Sequence, residues 1–204
     1  MWKWFKGPQP SKTDFSESTD TTLMRRALAA GLNTITGHRR GRVLHAYVQS
    51  ATSSPAGTRA MVASGVPVDA VNHDGDTAFM IAVRKDRDQV ARVLLELGAN
   101  VNHQNRARRT ALHEAAQQGS IAMVRMLLTF RARLDLQDVN GNTPLHLAAG
   151  RTHVDVTEFL LRAGARPDTT NRSGQTAFAM AHEPLQRQMT TWWLETSTRL
   201  PPKR

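Results

Sequence analysis

Few stretches of this chain place reactive residue types at a spacing that could do chemistry. His113-Glu114-Ala115-Ala116-Gln117 comes nearest. On a helix, two histidines one turn apart can grip zinc while a glutamate between them serves as base, but Gln117 stands where the second histidine is required. His182-Glu183-Pro184 fails in the same way. Gly37-His38-Arg39-Arg40-Gly41-Arg42 has the glycines and cations of a phosphate loop, yet lacks both the four-residue gap between glycines and the Lys-Ser/Thr step that reaches phosphate and metal. It reads as a basic loop. No Gly-x-Ser-x-Gly nucleophile elbow occurs. The chain has no cysteine, which removes disulfides, Cys-ligated zinc, iron–sulfur clusters and thiol nucleophiles. The expectation is a protein that is not an enzyme, with no catalytic residue, metal or cofactor.

Charge is the next clue to function. The formal net charge is +10 over 204 residues. Counted in blocks, it is 0 for residues 1–20, +5 for 21–72, −1 for 73–105, +3 for 106–138, 0 for 139–171 and +3 for 172–204. A blockwise excess can attract acidic proteins, nucleic acid or anionic lipid, and composition does not choose among them. The opening Met1, Trp2, Trp4, Phe5 is interrupted by Lys3 and Lys6 and stopped at Gly7-Pro8, unlike a signal peptide. With no long apolar run, a cytoplasmic protein is expected.

The elements that position these residues repeat. Thr77, Thr110, Thr143 and Thr176 are 33 apart, and Asn72, Asn105, Asp138 and Asn171 precede them in the same register. Ala82, Ala115, Ala148 and Ala181 follow each threonine by five, and Leu94-Leu95, Leu127-Leu128 and Leu160-Leu161 recur further on. Threonine suits a helix N-cap, and Pro144 just inside a helix loses no needed donor. A first helix of about eight residues, rich in small alanines, lets a neighbour approach closely, and Gly119 can end it in a left-handed turn. A second helix carries the larger apolar groups, and Asp138-Val139-Asn140-Gly141-Asn142 reads as a tight turn. Helices shorter than roughly 12 to 15 residues are marginal alone, so these must be stabilised by stacking.

The pattern resembles the ankyrin repeat, whose turn, Thr-Pro-Leu-His, Ala-Ala, Gly and Leu-Leu signature is nearly complete from Asp138 to Ala165. The expected fold is an all-α ankyrin-repeat solenoid of stacked helix-turn-helix units with irregular helical caps. Residues 1–20 read as a flexible tail and 21–71 as a helical cap with a degenerate repeat. Repeats occupy 72–104, 105–137 and 138–170, and 171–204 holds a partial repeat and a capping helix around Leu185 to Leu194, with Trp192-Trp193 covering the last unit. Ala78, Ala111 and Ala177 replace the proline, and Phe79-Met80 replace Leu-His, changes a helix tolerates. Arg108 replaces the turn glycine, where a left-handed backbone costs roughly 1 to 2 kcal/mol, so that finger is expected to bend differently. Thr152, in place of the glycine between helices, puts the third inner turn in the same position.

The resemblance implies a protein-binding module that holds its partner on a concave face of turn tips and inner helices, in an inhibitor, immunity or scaffold role. Carried over position by position, the partner-binding residues are His73, Asp74 and Asp76 in the first finger, Arg106 and Arg109 in the second, Asn140 and Asn142 in the third, and Arg172 in the fourth. The inner helices add Arg84, Lys85, Glu114, Gln117, Gln118 and Arg151. An acidic finger beside a basic one favours a shaped protein partner, with an acidic patch of its own, over a uniform polyanion. The alternative is recognition of nucleic acid or another polyanion by the Arg-rich patches. His113 and His146 match the family histidine that bonds the threonine and neighbouring loops. Weak membrane contact by Trp2-Lys3-Trp4-Phe5-Lys6, and a monomeric free protein, complete the expectations.

Overall fold

The computed structural model describes residues 44–50 and 53–197. The N-terminal tail with its Trp/Lys segment and residues 21–43 of the expected helical cap, the basic stretch 37–42 among them, lie outside the described residues. A helical segment at 44–49 (α1) is followed by α2 (Pro55–Ala63), α3 (Ala78–Arg84), α4 (Asp88–Glu96), α5 (Ala111–Gln118) and α6 (Ile121–Thr129). Then come α7 (Pro144–Gly150), α8 (Val154–Arg162), α9 (Ala177–Met180) and α10 (Glu183–Ser197). Inner helices α3, α5, α7 and α9 stack on one another in sequence, and the outer helices α2 and α4, α6 and α8, and α8 and α10 pack side by side.

Each inner helix starts where the threonine puts it. The Oγ of Thr77 accepts from the Met80 N–H, that of Thr110 from His113 and that of Thr176 from Ala179, while Pro144 occupies the first turn of α7. Ahead of each threonine a hairpin-like finger closes on its Asx residue. The Oδ1 of Asn72 accepts from the backbone N–H of Asp74 and Asp76, and the Oδ1 of Asp138 from Asn140 and Asn142, all at 2.8–2.9 Å. Asn105 and Asn171 accept from Arg109 and Gln175 in the same manner. This is why the repeat keeps an Asn or Asp there.

Every left-handed residue among those described falls on one of three tracks with the repeat's spacing. The finger track is Gly75, Arg108, Gly141 and Gly174; the inner-turn track is Asp86, Gly119 and Thr152; the outer-turn track is Gly65, Gly98, Arg131 and Gly164. Arg108 (φ 56°) and Thr152 (φ 59°) therefore correct the expectation of altered bends: both take the glycine's conformation. At Arg108 the turn is held from both ends, by its own N–H to Asn105 O (2.8 Å) and by the Asx cradle. The next finger docks as elsewhere, Val139 N–H donating to Ala107 O (3.0 Å) just as Arg106 donates to Asp74 O and Arg172 to Asn140 O. These bonds offset the left-handed cost. Gly75 has a stricter need, since a Cβ there would lie 2.9 Å from the Arg106 backbone nitrogen.

The core runs continuously along the stack. Ala82, Ala115 and Ala148 are fully buried between inner helices, and Leu94, Leu127 and Leu160 are fully buried beneath the outer ones. Burial of each such leucine contributes about 2 kcal/mol, which supplies what the short helices lack. At the C-terminal end α10 covers the stack with Leu185 and Met189; Trp192 is half-buried, while Trp193 is exposed and meets Phe178 edge-on with centroids 6.3 Å apart.

Candidate functional site

Two kinds of joint hold neighbouring units together. In the second and third repeats the histidine of the inner helix staples the next finger. The Nδ1 of His113 accepts from Thr110 N–H (3.1 Å), so Nε2 carries the proton and donates to Asn142 O (3.0 Å). His146 does the same between Thr143 (3.2 Å) and Gln175 O (3.2 Å). His113 has no exposed surface, and burial drives its pKa down to about 4, so the neutral ring is the native form. Burial lowers that of His146 as well.

In the first repeat Met80 occupies this position and offers no ring N–H to the second finger. Charged groups connect the units instead. Arg84, at the end of α3, donates to Asp76 Oδ2 (2.8 Å) and to Glu114 Oε1 on α5 (3.3 Å). Arg109, from the second finger, has its Nε 3.4 Å from the same Glu114 oxygen and also donates to Gln117 Oε1. Asn105 Nδ2 donates to Asp76 Oδ1 (2.7 Å), and Gln118 Nε2 donates to Arg84 O (2.7 Å). The carboxylates lie inside: Asp76 is 2% and Glu114 7% exposed. Burial alone raises the pKa of Asp76, but the hydrogen bonds from Arg84 and Asn105 and the charge of Arg84 outweigh it and hold it below the usual carboxylate range. The bond to Asp76 in turn raises that of Arg84.

The side chains of Arg84 and Arg109 stay partly exposed, and with Asp74 and Arg106 they line a hollow of about 520 Å³. Among the described residues no group of three or more His, Asp or Glu is placed to hold a metal ion. Nor is any described helix long and apolar enough to cross a membrane.

The repeated joints fit one family, and the comparison with family models agrees: the model for ankyrin repeats in three copies matches residues 44–138 and 98–171, well over half of the chain. The chain belongs to the ankyrin-repeat family. Ankyrin repeats are protein–protein interaction modules, and the proteins that carry them are typically not enzymes. A search of curated proteins finds no match to the chain.

Within this ankyrin array the sequence-derived candidates separate into three groups. Asp76, Arg84, Arg109, Glu114, Gln117 and Gln118 are brought together at the first joint. Asp76 and Glu114, expected on the contact surface, are buried instead; their carboxylates face the arginines and fix them. His73, Asp74, Lys85, Arg106, Asn140, Arg151 and Arg172 are exposed. Of these His73 and Asp74 pair with each other (3.1 Å), while Lys85, Arg106, Arg151 and Arg172 make no ion pair among the described residues. Asn142 is partly buried; its carbonyl receives His113, and its Oδ1 accepts from Asn171 (2.9 Å), so it ties units together. Asn105 was missed as a candidate, although its register with Asn72 and Asp138 already placed it beside the first finger.

Proposed function

We propose that this protein binds a partner protein on the concave surface formed by its fingers and inner helices, with Arg106 and the exposed faces of Arg84 and Arg109 as the principal contacts. The observation that supports this best is the first joint, where two buried carboxylates hold two guanidinium groups in fixed positions at the surface. Arginine with its rotamer already fixed loses little entropy on binding and forks onto acceptors, which is the profile of an interface hot spot. The remaining candidates, among them Lys85, Asn140, Arg151 and Arg172, extend the surface. The protein acts without cofactor or catalysis, as a cytoplasmic monomer that either neutralises an enzyme, as an inhibitor or immunity protein does, or scaffolds its partner.

The test is capture of a partner by the intact chain, purification of that partner, and titration against an Arg106→Glu, Arg172→Glu variant whose folding is checked by its melting curve. The reading predicts at least a tenfold loss of affinity. Undiminished affinity contradicts it. Lys85, Arg106, Arg151 and Arg172, which make no ion pair among the described residues, also suit a polyanion, and ionic strength separates the two readings: phosphate contacts give a steep linear fall of log affinity with log salt, a shaped protein interface a shallow one.

A further inference from the structure

We propose that the hollow between the first and second fingers receives one carboxylate side chain, Asp or Glu, from the surface of the partner; this rests on the protein-binding reading above and names the group recognised. The charges lining the hollow decide its occupant. Three are cationic, Arg84, Arg106 and Arg109, and three anionic, Asp74, Asp76 and Glu114. Arg84 is matched by Asp76 (2.8 Å) and Glu114 (3.3 Å), and Arg109 shares Glu114 (3.4 Å). Asp74 lies 3.1 Å from His73. Arg106 alone among the three arginines makes no ion pair with a described residue.

Arg106 is also seated. Its backbone N–H is tied to Asp74 O (3.0 Å), and its Cγ would be 3.2 Å from a Cβ at Gly75, so its stem rests against the first finger. Arg109 lines the same hollow, with its buried Nε turned toward Glu114 (3.4 Å) and Nη2 donating to Gln117 Oε1. One incoming monoanion therefore completes the pairing of Arg106 and borders a second guanidinium. A lysine would find only Asp74 in the open, beside three guanidinium heads, because Asp76 and Glu114 lie buried behind them. A dianionic phosphate would bring a second negative charge beside three carboxylates with no further unpaired cation in the lining. Asp76 and Glu114 are thus positioning residues, and Arg106 is the contact that selects for a carboxylate.

The test is an NMR titration of the full chain, at constant ionic strength, with the blocked peptide Gly-Gly-Glu-Gly-Gly, its Gln counterpart and its phosphoserine counterpart. The Glu peptide should shift the backbone amides of 106 and 107 and the Nε–H of Arg106, with an apparent affinity about tenfold above that of the Gln peptide, the scale of one charge-assisted contact. Arg106→Gln should abolish the difference, and Arg106→Glu should transfer the preference to a Lys peptide; Arg172→Gln, at the same fingertip position two units on, should leave it intact. Equal response to Glu and Gln, no response, shifts confined to other fingers, or a phosphoserine peptide that binds more tightly than Glu would each overturn the inference. If a purified partner still loses affinity with the finger-side variant while the peptides show no preference, the carboxylate receptor fails and protein binding stands. If the partner is also indifferent, both fail.

Discussion

The first and second joints of this array connect equivalent elements, α3 to α5 and α5 to α7, by different chemistry. At the second, a buried neutral imidazole donates to a backbone carbonyl of the next finger. At the first, methionine replaces that histidine and the units are linked by Arg84 to Glu114 and Asn105 to Asp76, within a cluster of two arginines and two buried carboxylates. A histidine staple satisfies polar groups inside and presents nothing outward. The ionic joint must leave its guanidiniums partly hydrated, because ion pairs fully removed from water rarely recover their desolvation cost. Departure from the repeat's pattern and partial exposure of arginine side chains therefore coincide at this joint.

The comparison can be broken most forcefully at His113. His113→Ala removes its hydrogen bonds and leaves the Thr110 N–H without its acceptor, and should cost about 3 kcal/mol in urea denaturation. A loss under about 1 kcal/mol would mean the staple is dispensable. Asp76→Ala should cost less, about 2 kcal/mol, since the released Arg84 already reaches water. If it costs more than His113→Ala, the assignment of the stronger joint is reversed.

Acid should separate the joints without mutation. The folded pKa of His113, about 4, lies below its ordinary 6.5, so the unfolded chain binds the proton first. Its contribution is complete above about pH 6.5 and is lost at about 1.4 kcal/mol per unit as pH falls from there toward 4. Burial lowers the pKa of His146 too, which adds in the same direction. Asp76 is also held below its ordinary value, but that value is 3.8, so its contribution persists until pH falls below about 4. Stability measured from pH 7 to 5 in the His113→Ala protein should vary less than in the parent; an unchanged slope would place the titrating group elsewhere. The smallest effect is at the second finger: Arg108→Gly relieves a left-handed arginine but frees the unfolded chain, for a net gain of about 0.5 kcal/mol in thermal unfolding.

The architecture was legible because a period of 33 carried threonine caps, Asx turns, alanines and leucine pairs in fixed register, and a unit unable to stand alone must stack. The bends at Arg108 and Thr152 were not legible because residue preference alone leaves out the backbone hydrogen bonds that hold them: Val139 N–H to Ala107 O from the next finger at Arg108, and Thr152 N–H to Ala149 O with His153 N–H to Ala148 O at the end of α7. The candidate joint was half legible. Arg106 and Arg109 stand out as a basic finger beside an acidic one, but nothing local says that Asp76 and Glu114, in different units, turn inward onto Arg84 and Arg109. Met80 was visible as a departure; that it removes a cross-unit hydrogen bond shows only once the carbonyl it would have met is in place.

Native-state hydrogen exchange at pH 7 and pH 5, corrected for intrinsic rates, tests the contrast between the joints most directly. The account predicts that amides of α5 and α7 and of the third and fourth fingers lose protection on acidification while those of α3 and the first finger hold theirs. Equal loss across all units, or loss centred on α3, would contradict it.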